Sequence, residues 1–199
     1  MFSGIVETTE KINKVVKGDE LVRVTLSRPK EFSDIKIGDS VACNGVCLTV
    51  ESFDEKEMLF AIAYETLNIT SWTVSDLKGK EINLERSLAF GDRIHGHLVA
   101  GHVECMTEVI KSYEQGESWI MEFKNNSVIL PFLWKKGSVT INGVALTINE
   151  VDKESFSVCL IPETMSRTNL GNLKPGDQVC LEPDYFARAL YHWKENLNA

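Results

Sequence analysis

No CxxC pair, no cluster of basic residues, no low-complexity tract and no long apolar run occurs in this 199-residue chain, and each absence removes a class of protein. The cysteines (Cys43, Cys47, Cys105, Cys159 and Cys180) are odd in number and unpaired in spacing, which argues against a disulfide framework and a structural zinc site. They read as reduced thiols, most of them small core residues. No segment approaches the roughly 20 apolar residues of a membrane span. The opening Met1-Phe2-Ser3-Gly4-Ile5-Val6-Glu7 has neither a basic region nor an apolar stretch long enough for a secretory signal. A cytoplasmic protein with no membrane partner is expected. The net charge is −8 and the lysines and arginines are scattered, so nothing supplies the counterion-releasing surface that nucleic acid requires.

What is present, above all, is a repeat. Ser40-Val41-Ala42-Cys43-Asn44-Gly45-Val46-Cys47-Leu48-Thr49-Val50 returns 98 positions later as Ser138-Val139-Thr140-Ile141-Asn142-Gly143-Val144-Ala145-Leu146-Thr147-Ile148. Glu65-Thr66 returns as Glu163-Thr164, Gly4-Ile5-Val6-Glu7 as Gly101-His102-Val103-Glu104, and Ile82-Asn83-Leu84-Glu85 as Val179-Cys180-Leu181-Glu182. A period near 100 residues is too long for a solenoid unit, so each copy is a domain with its own core.

Within each copy the signal is β. Val22-Arg23-Val24-Thr25-Leu26 and Trp119-Ile120-Met121-Glu122-Phe123 place bulky residues at every second position. Asn44-Gly45 and Asn142-Gly143 mark tight hairpins, and glycines at Gly38, Gly79 and Gly176 mark further turns. Many short strands with no long helix between them predict a small closed antiparallel barrel per copy. One helix is predicted at the C-terminus, where Phe186, Ala189, Leu190, Trp193 and Leu197 share a face behind a capping Asp184. Left exposed, that stripe favours self-association; folded back on the barrels, it is core.

Strand parity places Cys47 and Thr49 on the face opposite Leu48 and Val50, and Ala145 and Thr147 opposite Leu146 and Ile148. With the leucine face as core, Cys47, Thr49, Ala145 and Thr147 line a cavity or groove. Cys47 there is a nucleophile, a hydrogen-bond partner, or simply a small buried residue. His95, His97 and His102 gather near the junction of the copies, as general acid–base candidates or as satisfied polar groups at an interface. His95 and His97 would share a strand face, but no ligand spacing supports a metal. Since Cys47 corresponds to Ala145 and Ile5 to His102, the first copy carries the thiol and the second the imidazole. Two similar pockets that treat two similar molecules differently suit a reaction between two copies of one substrate.

These residues resemble the riboflavin synthase family, through Met1 to Glu7, Asn44 to Val50, Gly96-His97-Leu98-Val99-Ala100-Gly101-His102, Asn142 to Thr147 and Ile161-Pro162-Glu163-Thr164. The resemblance implies an all-β fold of two tandem, similar six-stranded antiparallel barrels with a C-terminal helix. It divides the chain at 1–97, 98–184 and 185–199, the last an oligomerisation helix of a homotrimer. It also implies a transferase that dismutates two 6,7-dimethyl-8-ribityllumazine molecules, moving a four-carbon unit to give riboflavin and 5-amino-6-ribitylaminouracil without a cofactor or metal.

Each active site would then lie between one subunit's N-terminal barrel and a neighbour's C-terminal barrel. The matching positions in the first copy are Gly4, Ile5, Val6, Ser40, Cys47, Leu48, Thr49, Ala61, Ile62, Ala63, Tyr64, Glu65 and Thr66. In the second they are Gly101, His102, Val103, Lys136, Ala145, Leu146, Thr147, Ile161, Pro162, Glu163, Thr164, Met165 and Ser166. Cys47, His102, Ser40 and His97 are the candidates for chemistry. Asn142 and Ala145 stand where an acidic residue and a serine can occur in the family. A noncatalytic lumazine- or flavin-binding protein of the same superfamily is the alternative.

Overall fold

The computed structural model describes residues 1–197; the last two residues assigned to the C-terminal helix lie outside them. Among the described residues, twelve strands form two closed six-stranded antiparallel barrels. The first uses β1 (Thr8–Lys17), β2 (Leu21–Ser27), β3 (Ser40–Cys43), β4 (Val46–Phe53), β5 (Glu57–Ala63) and β6 (Glu81–Arg86), in the order β1-β2-β5-β4-β3-β6. The second uses β7 (Cys105–Gln115), β8 (Ser118–Lys124), β9 (Ser138–Ile141), β10 (Val144–Val151), β11 (Ser155–Leu160) and β12 (Gln178–Pro183), in the order β10-β11-β8-β7-β12-β9.

The predicted hairpins sit where both central residues need positive φ. Asn44 and Gly45 have φ of 49° and 81°, and Asn142 and Gly143 have 45° and 80°. These turns join β3 to β4 and β9 to β10 with two-residue loops. The ladders slip between Ile12 and Lys14 and between Val50 and Ser52, and again between Val109 and Lys111 and between Ile148 and Glu150. Such bulges bend strands around small barrels, and here they recur at matching places in the two copies.

Alternation fills each interior. Val22, Val24, Leu26, Met58, Phe60, Ile62 and Leu84 pack the first barrel; Met121, Phe123, Ile141, Phe156, Val158 and Leu160 pack the second, with the Phe123 and Phe156 rings stacked 5.3 Å apart. Cys43 and Cys180 lie in the interior, where burial drives both thiols upward from their ordinary pKa. Cys47 and Cys159 are only partly buried because parity turns them outward, whereas partly buried Cys105, at the start of β7, packs against the second core. Of the five expected to be mostly core residues, two are fully buried and Cys105 is a third that packs on a core.

The barrels do not fold as separate beads. The two Asn-Gly turns abut so closely that a Cβ on Gly45 would stand 2.9 Å from the Gly143 nitrogen. Around them runs a buried amide network. The Asn83 side chain donates to the Asn142 carbonyl (2.8 Å) and to Asn169 Oδ1 (2.9 Å), and Asn169 donates to Asn44 Oδ1 (2.9 Å). Cys180 of β12 packs into the first core, while Val6 packs into the second.

Three short helices escaped the sequence reading: α1 (Tyr64–Thr70), α2 (Val74–Leu77) and α3 (Pro162–Arg167). None completes the two turns that hydrophobic periodicity needs to register. The C-terminal helix α4 (Tyr185–Leu197) forms as expected, and Asp184 Oδ1 accepts from the Phe186 and Ala187 amides at 2.9 and 3.1 Å. Its Tyr191 meets Phe132 edge-on, but the predicted stripe is not folded back: Phe186, Leu190, Trp193 and Leu197 are all about 60% exposed.

Candidate functional site

Two straps, residues 2–7 and 99–104, lead into β1 and β7, and each spans both barrels. Strap one follows β6, with the Glu7 amide donating to the Leu84 carbonyl at 2.9 Å; strap two follows β12, with Glu104 donating to Leu181 at 2.9 Å. Each also pairs with the hairpin of the opposite barrel. The Ala145 amide donates to the Gly4 carbonyl (2.8 Å), and the Cys47 amide donates to the Gly101 carbonyl (2.9 Å). Phe2 and Val99 bridge the straps to each other, and Phe2 is fully buried against Ala42 and Val99. Both strap glycines are required. Their φ values are 74° and 81°, and a Cβ on Gly4 or Gly101 would stand 2.5 or 2.6 Å from that of Ala145 or Cys47.

This crossing regroups the candidates. Gly4, Ile5 and Val6 lean on the second barrel, and Gly101, His102 and Val103 lean on the first, so Cys47 and His102 share one pocket although they come from different copies. That 230 Å³ pocket is lined by Val46, Cys47, Glu65, Thr66, Ile69, Thr70, Gly101, His102 and Val103. β4 pairs with β5 only from Val50 onward, which leaves Cys47 to Thr49 facing strap two on that side. Thr49 is exposed and stands opposite Ser40 on β3. Leu48 and Ile62 turn their side chains into the core, so they offer a ligand only backbone. Ala61 and Ala63 face outward on β5, and the Tyr64 hydroxyl donates to the Gly18 carbonyl at 2.9 Å.

In the second barrel, Ile5 is 44% exposed beside half-buried Ala145 and exposed Thr147, while Leu146 packs towards the core. Exposed Ile161 and Glu163 open the Pro162–Arg167 helix; Thr164 is half-buried, Met165 packs on the core, and Ser166 donates to the Glu163 carbonyl at 3.0 Å. Lys136 is exposed with φ of 68°, its amide donating to Ile148 at 2.9 Å. This is the equivalent cradle, with Ala145 and Ile5 where the first has Cys47 and His102.

His97 does not line the Cys47 pocket; it lies against β9, on the residue that faces Ala145. Its Nε2 lies 3.0 Å from the buried Thr140 hydroxyl, and burial holds its pKa below the ordinary histidine value, against the pull of Asp184. The expected strand face shared by His95 and His97 is absent: both lie in the irregular connection between the barrels. Asn142, for its part, is committed to the inter-barrel network, its Oδ1 accepting from the Cys180 amide at 2.8 Å.

The sequence reading missed two buried carboxylates. Glu85 accepts from the Ser3 amide (2.7 Å), the Ser3 hydroxyl (2.9 Å) and the Gly4 amide (3.0 Å). Glu182, its counterpart, accepts from the Ala100 (2.7 Å) and Gly101 (3.0 Å) amides. Burial raises both above the ordinary carboxylate range, Glu182 to about 7. The signal was available: both close the repeated β6 and β12 endings, where a charge in an otherwise apolar strand needs a partner.

The pattern of two paired cradles has known counterparts. The family model for the lumazine-binding domain matches residues 3–87 and again 100–184. The riboflavin synthase of Actinobacillus pleuropneumoniae is 39% identical over 92% of this chain and 85% of its own length. That of Bacillus subtilis (strain 168) is 34% identical over 100% of this chain and 92% of its own. The chain belongs to the riboflavin synthase family. Among solved structures, LumP complexed with riboflavin superposes with a TM-score of 0.82 at 26% identity, covering 92% of this chain and 99% of LumP. LumP complexed with 6,7-dimethyl-8-(1'-D-ribityl) lumazine gives 0.80 at 26% identity over 92% and 98%. Within this family fold, Cys47 and His102 line one pocket.

Proposed function

We propose that the protein is a riboflavin synthase: it joins two 6,7-dimethyl-8-ribityllumazine molecules and transfers a four-carbon unit between them, releasing riboflavin and 5-amino-6-ribitylaminouracil. The observation that carries this reading is the meeting of Cys47 and His102 in one pocket, beside an equivalent cradle that has Ala145 and Ile5 instead. Identical guests would thus meet different surroundings. One lumazine must lose a proton from its acidified 7-methyl group and the other must accept nucleophilic addition at C7. His102 moves the proton, Cys47 and Ser40 assist addition or position the acceptor, and Thr49 and Thr147 bond the rings. Holding two rings face to face supplies proximity worth roughly 7 to 11 kcal/mol in favourable cases.

A 230 Å³ opening is smaller than the roughly 300 Å³ at which ordinary ligand pockets begin, as suits a half-site that a neighbour completes. This supports an active site shared between the 1–97 barrel of one subunit and the 98–184 barrel of the next. The exposed stripe on α4 supports self-association through that helix, which on this reading builds a homotrimer. Replacing Leu190 and Trp193 together by Glu is expected to leave monomers in sedimentation velocity and to abolish turnover with the barrels still folded.

The likeness to LumP favours a second reading, a noncatalytic chromophore binder. Incubating the purified protein with the lumazine separates the two. An enzyme converts it to riboflavin, followed by absorbance; a binder holds it unchanged.

A further inference from the structure

Strap two carries His102 and, through the Gly101 carbonyl, ties down the Cys47 amide. Backbone bonds secure it at Val99 and Glu104, and between them one buried side chain grips the peptide that leads into His102. Glu182 is 4% exposed, stands on β12 opposite Thr140, and has one oxygen on the Ala100 amide and the other on the Gly101 amide, 2.7 and 3.0 Å away. The backbone N–H of His102 itself adds to the favourable field at this carboxylate. We propose that Glu182 is a positioning residue for the Cys47–His102 pair: its carboxylate fixes the strap so that imidazole and thiol face the same guest. The proposal rests on the reading of those two side chains as the reacting pair.

The geometry leaves little else for this carboxylate to do. It lines neither the Cys47 pocket nor the cleft under α4, and no side-chain hydrogen bond or ion pair to it is seen among the described residues; only the field of Arg188 reaches it. A buried carboxylate without a close cation is a poor device for stability, since desolvation works against it. It is a good device for geometry, because two oxygens accept from successive amides and so fix the orientation of the peptide leading into His102. The duplication supplies a parallel: Glu85 grips Ser3 and Gly4 in strap one in the same way.

The test is Glu182→Gln, which keeps the shape but turns an NH2 group towards one of the two amides. In the assembled protein, turnover is expected to fall about tenfold or more while KM for the lumazine changes less than threefold. With no substrate present, carboxamidomethylation of Cys47 by iodoacetamide, read by peptide mass mapping, is expected to speed up about fivefold as the strap loosens. Glu182→Asp, which retains the charge but reaches one amide, should recover part of that protection. A folded Glu182→Gln protein with wild-type turnover and wild-type Cys47 labelling overturns the proposal. Should the variant not fold, amide exchange in the wild type decides: Ala100, Gly101 and His102 are expected to exchange at least about a hundredfold more slowly than Arg93 and Ile94 in the exposed connection, and equal rates overturn it. If the wild type makes no riboflavin, the functional reading falls, but the labelling and exchange measurements still judge the role of Glu182.

Discussion

The two cradles differ in their openings and agree in their supports. In both, a tight Asn-Gly hairpin donates an amide to a strap glycine, at 2.9 Å from Cys47 and 2.8 Å from Ala145, and a buried glutamate holds the strap from behind. What changed is Cys47 against Ala145 and His102 against Ile5, side chains that make none of the hydrogen bonds joining strap to hairpin. Duplication thus left the load on backbone atoms and on Glu85 and Glu182, which freed the side chains at the openings to diverge without loss of fold. Specialisation of two equivalent sites is cheapest where the differing groups are not structural.

Breaking the chemical half of this contrast should give the largest effect. His102→Gln and Cys47→Ser are each expected to lower turnover by about a hundredfold, the usual scale for losing a positioned acid–base group or nucleophile. Neither should move the melting temperature by more than about 2 °C, since an exposed or half-buried group away from packing defects contributes little. Ile5→Leu, at the equivalent place on strap one, should lower turnover by less than about tenfold. Steady-state riboflavin formation with parallel melting curves measures all three. A larger loss for Ile5→Leu than for His102→Gln would mean that the cradles are not specialised as drawn.

The structural half is tested at the junction. Asn169 bonds to Asn83, Asn44, Asn142 and the Glu81 carbonyl, so Asn169→Ala leaves several buried amide groups unsatisfied at once. It should cost about 2–4 kcal/mol in denaturant unfolding. Asn172→Ala removes an exposed bond to Glu81 and should cost less than about 0.5 kcal/mol. Similar values for the two would show that the barrels are coupled by packing alone.

The contrast itself was half legible in the sequence. The repeat, the strand parity that turns Cys47 outward, the positive-φ turns and the capped C-terminal helix are all short-range patterns, and local backbone sterics decide them. The crossing of the straps is not local. A repeat says that residues 4–7 and 101–104 are equivalent, but not which barrel each leans on; that depends on the Gly4 and Gly101 carbonyls finding partners across the junction. So Cys47 and His102 were both visible and their meeting was not. Likewise Glu85 and Glu182 were seen only as matching strand ends, because a buried carboxylate looks like a surface one until its amide partners are placed.

Those two carboxylates also give the finest test of how alike the supports are. Both lie above the ordinary range because burial penalises their charge, yet Glu85 has the Ser3 hydroxyl as an extra donor where strap two has Ala100. A carboxyl whose folded pKa is raised keeps its proton longer in the native state, so its contribution to stability is fully present below about 4.5 and is lost as the pH climbs to about 7 for Glu182. Gln cannot titrate. Wild-type stability relative to Glu182→Gln should therefore decline between pH 4.5 and 7 by at most about 3 kcal/mol, from a shift of that size. His97, depressed by burial, works in the opposite sense but is common to both proteins and drops out of the difference. The same comparison with Glu85→Gln should show the same sign and a smaller slope, because the hydroxyl of Ser3 stabilises the ionised form. Denaturant unfolding at half-unit pH intervals reads both slopes. A flat difference for Glu182→Gln would mean that the strap amides offset its desolvation completely, and a steeper slope for Glu85→Gln would mean that the serine hydroxyl does not make the two supports unequal.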